Sequence, residues 1–263
     1  MKKYLVIGNP IEHSLSPKLH NFWIKKNNIN ATYGKKKIKE DDIKFLIDEI
    51  KNDKINGINV TVPFKKTVIP FLDELSQESK ESQSVNTIYL QKGKLIGHNT
   101  DISGFELGIK YSKYDVKNKI VFILGAGGVV SSIIIALKKM GAAKIIISNR
   151  TKAKAKELKN IFNELEIINW GETPNFDMII NATSIGLNNE DGIQLDYSRI
   201  EPNKFFYDVI YNPKETIFLK RAKLFGNKAE NGKMMFIYQA HQSFTIWHKL
   251  MPEINDEIKK LLD

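Results

Sequence analysis

The chain has 263 residues, 42% of them hydrophobic, enough to bury one large core or two modest ones. Lysine and arginine total 40 against 30 acidic residues, giving a net charge of +10, and cysteine is absent. These figures exclude disulfides and thiolate metal sites. No apolar run nears the ~18 residues that cross a bilayer, and the lysines are scattered without a groove-reading motif. The expectation is therefore a cytoplasmic chain that binds neither membrane nor nucleic acid, whose charge attracts small anions. The opening Met1-Lys2-Lys3-Tyr4-Leu5-Val6-Ile7-Gly8 is too short for a signal-peptide core and lacks a small-residue cleavage site.

In chain order, Tyr4–Ile7 predicts a strand, and Ser16-Pro17 predicts a helix start with Ser16 as N-cap and proline in the first turn. Leu19, Phe22 and Trp23 form an apolar stripe on that helix, expected in the core. Ile43, Leu46, Ile47 and Ile50 keep helical spacing behind Glu40-Asp41-Asp42, acidic residues that suit a helix start. Residues 57–62 alternate as a strand. Strands over Thr87–Leu90 and Lys94–Ile96 flank a turn at Lys92-Gly93. A helix over Ile102–Tyr111 then leads into Lys119–Leu124, an apolar run without alternation, as in a strand buried on both faces.

The run ends in Gly125-Ala126-Gly127-Gly128, followed by a helical stretch from Val129 to Met140, a stop at Gly141, and a strand over Lys144–Ser148. Strand, glycine turn and helix aim free N–H groups and a helix N-terminus at a pyrophosphate. Where a carboxylate at the end of the second strand would select NAD, the chain has Asn149-Arg150-Thr151-Lys152-Ala153-Lys154. Arg150, Thr151 and Lys154 suit a 2′-phosphate, so NADP is the expected cofactor. Short apolar runs at 166–169, 176–180 and 205–209 continue the pattern of a doubly wound parallel sheet. A long helix from Met234 and a last one over 253–262 close the chain.

The expected fold is α/β in two domains. An N-terminal α/β substrate domain with a mixed sheet comprises 1–101 plus 234–263, and a C-terminal doubly wound Rossmann domain comprises 102–233. The C-terminal helices are expected to pack back on the first domain.

Hydride transfer to or from a secondary alcohol needs a held nicotinamide and a group that moves the hydroxyl proton. Lys65, just past a strand end in Asn59-Val60-Thr61-Val62-Pro63-Phe64-Lys65, is a candidate for the proton, with Asp101 as its partner; the competing reading is one surface lysine beside Lys66. Ser14 and Ser16 suit a carboxylate, unless Ser16 only caps its helix. Asn59, Thr61, Asn86 and Asp101 lie at strand ends or turns and match a ligand rich in hydroxyls. The five histidines lack metal-ligand spacing, so no metal is expected.

Together with 8–17, 59–65, 85–87, 99–101, 125–128, 149–151, 181–186, 208–213 and 232–240, these segments run the length of the chain, and the whole resembles the NADP-dependent shikimate dehydrogenases. The resemblance implies reversible reduction of 3-dehydroshikimate to shikimate, a step toward aromatic amino acids, with Lys65 and Asp101 relaying the proton. It implies that Ser14 and Ser16 hold the substrate carboxylate, with Tyr211 near it. Asn59, Thr61, Asn86, Asp101 and Gln239 would meet the ring hydroxyls. Gly125, Ala126, Gly127, Gly128, Val129, Asn149, Arg150, Thr151, Lys154, Thr183, Val209 and Gly232 would line the NADP site, and Met235 would pack near the nicotinamide. Val130 is larger than the small residue usual at that place in the glycine loop, which is expected to loosen helix–strand approach. The competing readings are a quinate/shikimate enzyme using NAD, a non-catalytic NADP binder, and a methylene-tetrahydrofolate-type or glutamyl-tRNA reductase-like Rossmann enzyme, which lacks the paired serines and the 59–65 segment. Partners reduce to the small-molecule substrate, with a homodimer left open.

Overall fold

The computed structural model describes residues 1–188 and 191–262. Its chain divides into two units, Met1–Gly104 with Ile237–Asp263, and Phe105–Phe236.

The first unit begins with β1 (Lys2–Gly8), α1 (Ser16–Lys26), β2 (Ala31–Lys37), α2 (Asp42–Lys51) and β3 (Gly57–Val60). Next come β4 (Glu74–Leu75), α3 (Gln77–Ser82), β5 (Thr87–Gln91) and β6 (Lys94–His98). Its sheet runs β2-β1-β3-β5-β6-β4. The first three strands are parallel, β5 is antiparallel to both β3 and β6, and β4 is parallel to β6, so the sheet is mixed as expected. Two connections follow from sequence. Lys92 and Gly93 both take positive φ, 50° and 77°, the conformation a two-residue hairpin between twisted strands requires. α2 faces the sheet with Ile43, Leu46, Ile47 and Ile50, which join Ile7, Ile58, Val60 and Ile88 in one buried cluster. β2 lacks any such periodicity: its Thr32 is exposed and its Lys35, Lys36 and Lys37 face solvent at the sheet edge.

α4 (Asp101–Tyr111) leads out of the first unit, and β7 (Ile120–Leu124), α5 (Val130–Lys139), β8 (Lys144–Ser148), α6 (Lys152–Ile161) and β9 (Glu166–Ile168) follow. Then come β10 (Met178–Asn181), β11 (Phe205–Asp208), α7 (Ile217–Leu224) and β12 (Lys228–Asn231). The sheet order is β12-β11-β10-β7-β8-β9 and every pairing is parallel. The strand order reverses between β7 and β10, which makes their carboxyl ends the switch point where such sheets bind nucleotides. β10 and β11 are buried along their whole length, as strands covered on both faces must be.

α8 (Lys233–His248) re-enters the first unit at Ile237, and α9 (Asp256–Leu261) is the last helix of the described residues. Their return is specific. A Cβ on Gly57 would lie 2.4 Å from Trp247 Nε1, so α8 sits directly on β3. Trp23 Nε1 donates to Glu253 O at 3.2 Å and its ring meets Phe244 edge-on at 5.5 Å, joining α1 to the tail.

Candidate active site

In the first unit the predicted residues gather at strand ends and helix starts. Lys65 is 8% exposed while its neighbour Lys66 is exposed, which disposes of the surface-lysine reading. Its Nζ lies 2.5 Å from Asp101 Oδ2, and Asp101 is 5% exposed. A buried ion pair of this kind carries a desolvation cost that further hydrogen bonds must offset, and on the carboxylate side they are present. Asn86 Nδ2 donates to Asp101 Oδ1 at 2.9 Å and to Thr100 Oγ1 at 2.9 Å, while Asn86 Oδ1 accepts from Thr100 N at 2.8 Å. Asn99 Oδ1 accepts the N–H groups of Asp101 and Ile102 at the start of α4, at 2.9 and 3.3 Å. Its amide donates to Ser82 Oγ and Ser84 O. Asp101 thus sits on the first turn of a helix capped by Asn99, where the dipole favours a carboxylate. Lys65 O accepts from Val85 N at 2.9 Å, which ties the lysine's backbone to the segment that carries Asn86.

Asn59 points from β3 into the same cluster, donating to Asn86 O at 3.0 Å and Thr87 Oγ1 at 3.1 Å. Thr61 is half-buried one residue past the strand. Ser16 is not a cap: α1 starts at Ser16 itself, with Leu15 before it and no side-chain cap bond. Instead Ser14 Oγ accepts the Ser16 N–H at 3.3 Å. The Ser16 side chain is therefore not spent on the helix end. Gln239 is half-buried on α8. Tyr211 lies in the second unit, its ring stacked on Phe236 at 4.3 Å.

The second unit carries the glycine loop between β7 and α5. Gly125 has φ +113°, and a Cβ there would come 2.7 Å from Ala182 O, so only glycine allows this crossing of the loops after β7 and β10. Gly127 differs. It is exposed, and a Cβ there would meet nothing nearer than Ala182 O at 3.9 Å. Its lack of a side chain keeps open a space that the protein itself does not fill. Val130 opens α5 fully buried, its N–H on Gly127 O at 3.0 Å. At the end of β8, Asn149 Nδ2 donates to Thr151 O, and Arg150, Thr151 and Lys154 are exposed around the start of α6. That helix has no side-chain cap bond and no acid in its first turn. Exposed basic side chains at a helix start without a carboxylate fit a 2′-phosphate and not a bare ribose hydroxyl.

Thr183, Val209, Gly232 and Met235 follow the carboxyl ends of β10, β11 and β12. Two links fasten these segments. A Cβ on Gly232 would fall 2.1 Å from Val209 O. The second link is a buried polar cluster that sequence reasoning did not single out. Asn181 Oδ1 accepts from Thr183 N and Oγ1, its Nδ2 donates to Asp208 Oδ1 at 3.0 Å, and Asp208 also accepts from Ile210 N at 3.0 Å and Thr216 Oγ1 at 2.6 Å. Burial pushes the Asp208 carboxyl up to about 6, against the downward pull of these three donors. Met235 is buried, its backbone against Gly108.

Comparison with known proteins finds similarity along the length of the chain. Residues 6–88 match the family model described as shikimate dehydrogenase substrate binding domain, and residues 108–206 match that of shikimate / quinate 5-dehydrogenase. A shikimate dehydrogenase (NADP(+)) of Pelagibacter ubique is 63% identical over 262 residues, spanning 100% of this chain and 99% of the relative. The crystal structure of shikimate dehydrogenase from Aquifex aeolicus superposes with a TM-score of 0.90 at 37% identity, covering 100% of this chain and 97% of that one. A Thermus thermophilus shikimate 5-dehydrogenase, solved with NADP(H) and shikimate, gives 0.90 at 28% identity over 100% and 98%.

Proposed function

This chain belongs to the shikimate dehydrogenase family, and from that premise we propose that it interconverts 3-dehydroshikimate and shikimate with NADP as cofactor, a step toward the aromatic amino acids. The observation that carries the reading is the buried Lys65–Asp101 pair inside a lining of amides and hydroxyls. We assign the substrate to the first unit and the dinucleotide to the second.

NADPH, when bound, supplies hydride from nicotinamide C4. The chain's own work is the proton. As the carbonyl carbon is reduced its oxygen must gain one, and a positioned acid lowers that barrier. Lys65 Nζ bears three donors, of which Asp101 takes one, leaving two for a substrate oxygen. Asp101 aims the ammonium, and Asn86 aims Asp101. Ser14 and Ser16 take the substrate carboxylate, while Asn59, Thr61, Asn86 and Gln239 serve the ring hydroxyls. Such fixed placement of a reacting group accounts for a large share of catalysis in general. In the second unit Gly127 admits the pyrophosphate, and Arg150, Thr151 and Lys154 take the 2′-phosphate. A cytoplasmic location suits a cysteine-free chain in which no described helix is long and apolar enough to cross a membrane.

Purified protein incubated with shikimate and NADP+ should form NADPH, and quinate or NAD+ should support far slower turnover. The paired serines and the basic end of β8 favour that order over the quinate/NAD reading. Equal or faster turnover of quinate would overturn the substrate assignment, and absence of turnover with every pair would leave only a dinucleotide binder.

A further inference from the structure

Asn59 is anchored by a residue outside every motif considered above. Tyr33, on β2, donates its hydroxyl to Asn59 Oδ1 at 2.6 Å, and both side chains are buried. The bond is one link of a directional chain. Tyr33 donates to Asn59, Asn59 to Asn86 O and Thr87 Oγ1, Thr87 Oγ1 to Asn86 Oδ1, and Asn86 Nδ2 to Asp101, which holds Lys65. Tyr33 itself is fixed from α1. Asn21 clamps its backbone in both directions, donating to Tyr33 O at 2.7 Å and accepting from Tyr33 N at 2.9 Å. His20 stacks flat on its ring, centroids 4.1 Å apart and planes 5° apart. The same helix begins with Ser16.

We propose that Tyr33 is a positioning and specificity-determining residue of the substrate site, which fixes Asn59 so that this amide meets the ligand only as an acceptor. The inventory of valences gives the reason. Both Nδ2 protons of Asn59 are engaged by Asn86 O and Thr87 Oγ1, and one Oδ1 lone pair is taken by Tyr33. The main-chain carbonyl of Asn86 cannot donate, so the amide cannot flip without losing that bond. One acceptor lone pair remains. The ligand group it meets is a hydroxyl that donates, and a carbonyl or ether oxygen at that place is rejected because two acceptors would face each other.

The proposal rests on shikimate being the substrate, and the experiment separates the two. Tyr33→Phe keeps the ring that stacks on His20 and removes the hydroxyl that donates to Asn59. Steady-state kinetics on the purified variant should show KM for shikimate raised about fivefold, the usual scale of one hydrogen bond. Its kcat should stay within about twofold, and KM for NADP+ and the melting temperature should stay near wild type. Shikimate analogues that each lack one ring hydroxyl supply the second reading. One of them should be strongly disfavoured by wild type and less so by Tyr33→Phe, the coupling expected of groups that share a partner. An unchanged shikimate KM, equal penalties on every analogue, or loss of the folded state would overturn the proposal by leaving the hydroxyl idle or purely structural. Wild-type protein that fails to turn over shikimate would instead sink the functional reading beneath it.

Discussion

Lys65 and Asp101 show what a single side chain can and cannot disclose. Their types and spacing suggested proton transfer, but any one of the chain's many lysines could have been a solvated surface group. Burial and a 2.5 Å contact separate Lys65 from Lys66 beside it. Lys65→Ala should lower kcat by at least ~100-fold with little change in KM, measured as initial rates over a range of shikimate concentrations at saturating NADP+. A near-normal kcat would remove Lys65 from the mechanism. Asp208 was invisible for the opposite reason. It occurs in a matched segment, yet nothing in its neighbours along the chain announces that Asn181 and Thr216 converge on it. Its raised value has a definite sign. The folded chain holds the proton more tightly than the unfolded chain, so stability present below about pH 4 is lost as pH rises through 6. The loss is on the order of 3 kcal/mol. Asparagine at this position cannot titrate. The difference in unfolding free energy between Asp208→Asn and wild type should therefore change by that order between about pH 4 and pH 7 in urea titrations. A pH-independent difference would mean the carboxyl titrates normally.

At the scale of elements, those with strong periodicity were readable, and those held by their neighbours were not. β7, α5 and β8 follow from uninterrupted apolar runs punctuated by glycine. β2 and β12 are edge strands with basic or polar faces, so their pairing with β1 and β11 supplies what their composition does not. That is why Tyr33, lodged in β2, carried no sequence signal. The glycine loop was legible as a motif, but Gly125 and Gly127 do different jobs. Gly127→Ala should leave the melting temperature of the ligand-free protein unchanged and weaken NADP+ binding at least tenfold, since its Cβ meets no protein atom closely and would stand in the place proposed for the pyrophosphate. Gly125→Ala should lower the melting temperature as well, because its Cβ collides with Ala182 backbone at a positive φ. Calorimetry with and without NADP+ distinguishes the two; equal destabilisation by both would refute the division.

For the whole molecule, the two-sheet architecture was accessible because the strand–turn–helix pattern changes character near residue 100. Charge also acts at this scale. With a net +10 and two anionic ligands, raising ionic strength from about 20 to 200 mM should increase KM for both NADP+ and shikimate several-fold while sparing kcat, as screening shortens the field's reach. A salt-insensitive KM would show that only local contacts matter.

The order of the chain has its own result during synthesis. The second unit holds all six of its strands before Phe236, whereas β3 waits for Trp247 and α1 waits for Phe244 and Glu253. As the polypeptide leaves the ribosome, the later-encoded half can finish first, and the half that starts the message stays open until the last helices emerge. A nascent chain released before Trp247 would hold every strand of the second sheet and lack the indole that packs on Gly57 of the first.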